Sequence, residues 1–421
     1  MSKLIFSTAG LPEIIHFNVP LSKSISNRIL VIDYLRLRKG KLKSSNNFLK
    51  SSNNFLKSSN KNLKQDNNLA IPQIDVSNSD DTKLIAQILQ TIQATDRAAF
   101  DFKNSGTALR FLLSLLAVTK GHWTLTASAR MESRAIKPLV DILNNLGASI
   151  ISATKGQLFP LIIEGKSSLP ALNKPVLLPA QSSSQTISSL LLIEEFIPDF
   201  SLVFSQNQSS MPYISMTKAL IANPNVEIER CWSSAAFAYC LIGIRKRGSV
   251  VIPHLIADSI QGDSVAERLF RNFGVETTFT KEAAVLTFNA SIVTKSPVEI
   301  DILHIPDLFL PLAVTAICFD KTTTFLNVSI LRFKESDRLS AAIQLLNKLG
   351  IVTTNTTNGL IVHGRAQNKI SELPIIPSFG DHRVVMSFSM LAFLYDGLII
   401  EDPECVSKSF ADFWSNFGIT I

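Results

Sequence analysis

Long apolar runs are missing from this 421-residue sequence. Nowhere do about eighteen apolar side chains follow one another, which excludes a membrane-spanning helix. Cysteine is scarce: Cys231, Cys240, Cys318 and Cys405 are scattered and form no CxxC pair. That excludes a disulfide scaffold and a zinc ribbon, and it fits a reducing cytoplasm. Six histidines stand in no HExxH or similar grouping, so no metal is expected. The start, MSKLIFSTAGLPE, has no apolar core and does not read as a signal peptide. Charge is thin, at 18% of residues, while 46% are apolar, an ordinary balance for a globular protein. The length allows two or more domains with cores of their own.

The net charge of +7 has a local origin. Residues 36 to 66, RLRKGKLKSSNNFLKSSNNFLKSSNKNLKQD, hold nine Lys or Arg and one Asp, so the remainder is close to neutral. FLKSSNN recurs there with a period of seven. Only the Phe-Leu pair is apolar, and Ser and Asn are poor helix formers, so the stretch reads as a low-complexity insert rather than a coiled coil. A basic tract also attracts phosphates, but no nucleic-acid partner is expected.

Against that thin charge, RFKESDRL at 332 to 339 packs Arg332, Lys334, Glu335, Asp337 and Arg338 into eight residues. Acids suit the start of the helix that LSAAIQLLNKLG predicts, because the helix dipole is positive there. Three bases at the same place suit an arriving anion.

The pattern around it recurs. RMESRAIKPLVDILNNLGASI from Arg130, SIQGDSVAERLFRNFGVETTF from Ser259 and the stretch from Arg332 each give a polar start, an amphipathic helix, a glycine stop and a β-branched strand. A second short strand follows each: PLIIEG, AVLTFNA and GLIVHG. An α/β protein made of several copies of one unit follows. Other helix starts carry bases, hydroxyls or glycines: Lys23, Ser24 and Arg28 in LSKSISNRIL; Asn104 to Thr107, then Arg110, in NSGTALRFLL; Ser183, Ser184 and Gln185 in QSSSQTISSLLL; Asp381, His382 and Arg383 in SFGDHRVVM. Small residues there let backbone N–H groups approach an anion.

In order, SKSISNR, NSGTALRFL, RMESR, SSQ, SMPYISMT, IPD, RFKESDRL and GDHRVVM resemble the signature blocks of the 5-enolpyruvylshikimate-3-phosphate synthases, over nearly the whole chain. The resemblance implies transfer of the enolpyruvyl group of phosphoenolpyruvate to the 5-hydroxyl of shikimate 3-phosphate, releasing phosphate, with no cofactor. It implies two domains, each of three βαβαββ repeats, closing over the substrates. Here they would be residues 1–21 with 232–421, and the inserted 22–231. A cytoplasmic monomer acting on these small molecules, with no nucleic-acid or membrane partner, is expected.

The resemblance also implies roles. Lys23, Arg130, Arg338, Arg383 and Lys408 match a cationic cage for phosphoenolpyruvate, with Gly106 giving close backbone approach. Ser24, Arg28, Ser183, Ser184, Ser210 and Lys334 match contacts to shikimate 3-phosphate, with Lys23 and Gln185 serving both substrates and Tyr213 offering a face to the carbocycle. Asp307 in HIPDLF matches the base at the 5-hydroxyl, Glu335 the acid and base at C3, and Lys23 a stabiliser of departing phosphate. Asp337 is left to cap or pair, and Arg332 to a structural role.

Three departures from the family pattern stand out. The insert at 36–66 replaces a short connection. Ile330 stands where some members have an Asn that contacts shikimate 3-phosphate. After Thr217 the longer helix, glycine and strand pair that the repeat calls for are missing, which predicts an exposed sheet edge near Asn223 to Arg230. The usual Glu-x-Asp there reads Glu229, Arg230, Cys231. Two other readings remain: a degenerate relative that binds anions without turnover, and the sister transferases acting on UDP-N-acetylglucosamine. The sister family typically has a loop cysteine that the first half of this chain lacks.

Overall fold

The computed structural model of the chain describes residues 2–40, 76–132, 136–172, 174–179, 182–205, 208–364 and 373–421. Most of the low-complexity insert lies outside them. The chain is α/β and divides into two compact units: Met1–Pro20 with Glu229–Ile421, the discontinuous unit, and Leu21–Ile228, the inserted unit. Each closes on its own core. Phe17, Trp232, Phe237, Phe270 and Phe413 are buried in the first, and Phe102, Phe111, Trp123, Leu139 and Ile163 in the second.

Among the described residues three four-stranded sheets share one order. In the discontinuous unit they are Ile14–His16, Ser249–Pro253, Ala283–Phe288 and Val275–Phe279, then Val298–Asp301, Thr322–Leu326, Gly359–His363 and Thr353–Asn355. In the inserted unit the order is Arg97–Asp101, Gly121–Thr126, Leu161–Gly165 and Ser149–Ser152. Each time the first two strands are parallel and the rest antiparallel. A parallel pair needs a crossover, and a helix supplies it.

The helix, glycine, strand, strand runs read from the sequence fill the second half of each sheet. Lys137–Asn145 leads to Gly147, Ala266–Arg271 to Gly274, and Arg338–Lys348 to Gly350. These three glycines have φ of +90, +79 and +77, the left-handed turn that ends a helix most cheaply without a Cβ. Two other glycines hold equivalent places at the end of the third strand of their sheets or just beyond it. A Cβ on Gly165 would lie 1.9 Å from the Thr119 carbonyl oxygen, and one on Gly364 would lie 1.8 Å from that of Phe319.

Among the described residues two sheets are smaller. Lys3–Phe6, Leu398–Glu401 and Ile375–Ile376 form one in the discontinuous unit. In the inserted unit Val176–Leu177 pairs with Leu202–Val203. The helix Met211–Ala222 follows, and the chain then runs from Asn223 to Glu229 without a strand. The expected sheet edge at Asn223 to Arg230 is therefore absent. Asn-Pro-Asn opens that segment, and Pro224 has no N–H for a ladder. The incomplete sheet lies instead at Leu177 and Val203, register partners that are 74% and 48% exposed. Among the described residues no helix is long and apolar enough to cross a membrane.

Crossover helices position the chemistry. Gly106–Ala117 and Ser184–Leu192 in the inserted unit, and Phe309–Ala316 and His382–Ser389 in the discontinuous unit, each begin where the first strand of a parallel pair has ended. Each of these helix starts therefore lies at the C-terminal end of the strand before it.

Candidate active site

In the inserted unit, Ser22 caps the helix Lys23–Arg38 and accepts from Ile25 N at 3.4 Å. Lys23, the first residue after that cap, donates to Asp81 Oδ2 at 3.1 Å. Asp81 is buried and also accepts from Ser105 Oγ at 2.5 Å, so the start of the Gly106 helix is tied to the lysine through one carboxylate. Gln185 is fixed at both ends of its amide. Its Oε1 accepts from Arg110 at 2.9 Å, and its Nε2 donates to Thr107 Oγ1 at 2.9 Å. Ser183 caps the helix that Ser184 and Gln185 begin.

Arg28 is only 2% exposed. Its Nε donates to Thr217 Oγ1 at 2.7 Å, Nη1 to the Ser24 carbonyl at 2.8 Å, and Nη2 to the Tyr213 carbonyl at 3.2 Å and Ser188 Oγ at 3.3 Å. Burial lowers its pKa to about 10, so it stays charged at neutral pH. The Tyr213 ring lies 5.9 Å from the guanidinium carbon. Arg28 thus ties together three helices that carry expected shikimate 3-phosphate contacts. Ser210 begins the third of them in a left-handed conformation with φ of 60. Arg130 stands on the short helix Ala129–Glu132 and is exposed.

The discontinuous unit gathers charge more densely. Asp307 lies in the 3-10 turn Pro306–Leu308 ahead of Phe309–Ala316. Arg338, the first residue of its helix, is buried and donates through Nη1 to Asp307 Oδ1 at 2.8 Å, through Nη2 to Glu335 Oε2 at 2.7 Å, and through Nε to Asp381 Oδ2 at 2.8 Å. Arg383 Nη2 meets Asp307 Oδ2 at 2.8 Å, and Lys408 Nζ lies 3.9 Å from Glu335 Oε1. Asp337 caps the Arg338 helix at Ser340 N, 3.0 Å, and pairs with Arg332 at 2.9 Å on the outside. Within RFKESDRL, Arg332 and Asp337 pair with each other, while Glu335 and Arg338 join the cluster.

Electrostatics follow from that packing. Burial would raise the pKa of Asp307, but Arg383, Arg338 and Lys334 outweigh it and hold the carboxyl well below its ordinary value. Burial works against the charge of Arg338, yet Asp381, Glu335 and Asp307 hold it protonated above the usual value. Asp381 is fully buried and also lowered; Arg338 overcomes the cost of burial.

Three carboxylates of these clusters were given no role from the sequence. Asp81 and Asp381 fix Lys23 and Arg338 from behind. Asp263, 2% exposed in the turn Gly262–Val265, accepts from Ser233 Oγ, and burial together with Asp307 raises its pKa to about 6. The available signal was position: each lies at or just before a helix start, in NSDDT, GDHR and QGDS.

A family model described as EPSP synthase (3-phosphoshikimate 1-carboxyvinyltransferase) matches residues 14–233 and 231–417. The chain belongs to the EPSP synthase family. Relatives named 3-phosphoshikimate 1-carboxyvinyltransferase agree in length. One from Bacteroides fragilis is 28% identical over 431 residues, 96% of this chain and 95% of its own. One from a Shewanella species is 30% identical over 428 residues, 95% of each chain. An EPSP synthase structure from Acinetobacter baumannii shares the fold, with a TM-score of 0.65 at 19% identity over 99% of this chain and 98% of that one.

The departures from the EPSP synthase pattern have structural consequences. Ile330 packs on the core of its unit. Glu229 accepts from Ser259 Oγ, from Gln261 Nε2 at 2.8 Å and from Ile260 N at 3.1 Å. Cys231 is the N-cap of Trp232–Arg245 and makes no side-chain cap bond.

Proposed function

We propose that this chain transfers the enolpyruvyl group of phosphoenolpyruvate to the 5-hydroxyl of shikimate 3-phosphate and releases phosphate, a step of the shikimate pathway. The observation that carries the reading is the cluster of Arg338, Arg383 and Lys408 around Asp307 and Glu335, in a chain of this family. The chemistry needs cations for a substrate that is both phosphate and carboxylate, and two groups that move protons.

In this reading Asp307 takes the proton of the 5-hydroxyl as its oxygen adds to C2 of phosphoenolpyruvate. Glu335 delivers a proton to C3, forming a tetrahedral intermediate, and removes one from C3 as phosphate leaves. Lys23 stabilises the departing phosphate. Arg338, Arg383, Lys408 and Arg130 hold the phosphoenolpyruvate anions with Gly106 and Gln185. Guanidinium suits both groups because it binds them bidentately. Ser24, Ser183, Ser184, Ser210 and Lys334 hold shikimate 3-phosphate, Tyr213 packs on its ring, and Arg28 contributes charge while fixing their helices. The chain acts as a monomer in the cytoplasm; its four free thiols support that compartment.

Phosphate release from purified protein tests this. It should require phosphoenolpyruvate and shikimate 3-phosphate together. Binding of both without release would leave an anion-binding relative and end the enzymatic reading.

A further inference from the structure

Arg338 has two edges in unlike surroundings. Its Nε and Nη2 face Asp381, at 2.8 Å to Oδ2 and 3.4 Å to Oδ1, and this carboxylate has 0% side-chain exposure. Its Nη1 and Nη2 face Asp307 and Glu335, whose side chains are 20% and 16% exposed. Asp381 is itself held by Ser336 Oγ at 3.0 Å and Ser336 N at 3.3 Å, and it caps its own helix by accepting from Arg383 N at 3.0 Å. One edge lies against a carboxylate with no exposure; the other lies against two carboxylates that are partly exposed.

We propose that Asp381 anchors Arg338 so that its outer edge changes partners, from Asp307 and Glu335 in the free chain to the carboxylate of phosphoenolpyruvate in the loaded one. This rests on the reading above that Arg338 binds phosphoenolpyruvate. A carboxylate bonded to a guanidinium is a weak base, because its charged form is favoured. While Arg338 holds Asp307 and Glu335, neither is ready to take a proton. A substrate carboxylate takes two parallel N–H bonds from the outer edge, and both side chains lose that partner and gain basicity. Phosphoenolpyruvate thus switches on both Asp307, which acts on the 5-hydroxyl of the other substrate, and Glu335, which acts on its own C3. Asp381 makes the exchange possible without moving the guanidinium, so it is a positioning residue.

Other charges temper the change without cancelling it. Asp307 also faces Arg383, Lys334, Glu335 and Asp263, and Glu335 also faces Lys408 and Asp381. Arg383, Lys408 and Lys334 are themselves assigned to substrate anions, so their hold on Asp307 and Glu335 weakens in the same direction.

The test compares two pH profiles of the purified chain at saturating shikimate 3-phosphate, with the titration of phosphoenolpyruvate itself read separately from its phosphorus resonance. The profile of kcat/KM reports the form without phosphoenolpyruvate, and that of kcat the loaded form. The acidic limb of kcat should lie about one pH unit or more above that of kcat/KM. Coincident limbs would overturn the exchange. Asp381→Asn keeps the helix cap but turns an N–H₂ towards Arg338. It should raise KM for phosphoenolpyruvate about tenfold or more, leave KM for shikimate 3-phosphate unchanged, and narrow the separation of the limbs. An unchanged KM for phosphoenolpyruvate in Asp381→Asn, with a raised one in Arg338→Lys, would remove Asp381 from the scheme and leave the binding reading intact. An unchanged KM in Arg338→Lys would remove the binding reading itself.

Discussion

Glu335 precedes Arg338 by three residues and bonds to it, Oε2 to Nη2, at 2.7 Å. The group assigned to move a proton at C3 is held by the group assigned to hold the substrate. Substitution separates the two roles. Glu335→Gln and Asp307→Asn should each lower turnover by about 10²-fold or more, typical of losing general acid–base help. KM for either substrate should change far less. Steady-state kinetics of the two variants checks this, and near-normal turnover in either would remove its residue from the proton transfers.

Asp33 is a stability site in the inserted unit. It is 4% exposed on the helix Lys23–Arg38, and burial raises its pKa to about 6, against a smaller pull from Arg36. A folded value above the unfolded one, about 3.9, gives a contribution that is full below that value and lost as pH rises through 6. At pH 7 the buried charge therefore costs the unit roughly 2–3 kcal/mol. Asp33→Asn should be more stable than the parent by about that amount at pH 7 and equal to it near pH 4. Urea unfolding at the two pH values measures the difference.

Cys231 leaves a cap unmade. Its backbone has the extended conformation of an N-cap, φ −77 and ψ 109, but its side chain accepts nothing. Cys231→Asp should stabilise the discontinuous unit by about 1 kcal/mol, read as a shift in its unfolding midpoint, and Cys231→Ala should not. Equal effects from both would mean that capping is not what the position lacks.

The inserted unit should also be the more open of the two. Among the described residues its small sheet has Val176–Leu177 and Leu202–Val203, and the segment from Asn223 to Glu229 adds no strand. Regions with few buried contacts open at low free-energy cost. Hydrogen exchange should be fast from 223 to 229 in the free protein and slower once shikimate 3-phosphate binds the folded form. Uniformly slow exchange there in the free protein would contradict the account of an incomplete repeat.

Much of this was legible in the chain. Gly147, Gly274 and Gly350 mark the ends of helices because only a left-handed turn stops them so sharply, and the strands that follow alternate as the sequence does. Gln185, Arg338 and Arg383 stand at helix starts, where the sequence pattern points to anion chemistry. What stayed hidden was pairing across the sequence. Nothing near Asp381 announces that it holds Arg338, 43 residues away, and nothing near Asp81 announces Lys23, 58 away. The same holds for Arg28: its four acceptors, two of them backbone carbonyls, come from three helices. Motifs report residue types at local spacing, and these contacts depend on tertiary packing. The sheet edge expected at Asn223 to Arg230 failed because counting missing strands does not say which remaining strand is left uncovered.

Phosphorus NMR of the purified chain with phosphoenolpyruvate and an acceptor tests the central claim most directly. With shikimate 3-phosphate the spectrum should show inorganic phosphate and one new phosphate monoester growing together as phosphoenolpyruvate declines, and with UDP-N-acetylglucosamine it should not change. A static spectrum with shikimate 3-phosphate, or turnover with UDP-N-acetylglucosamine instead, would contradict the account.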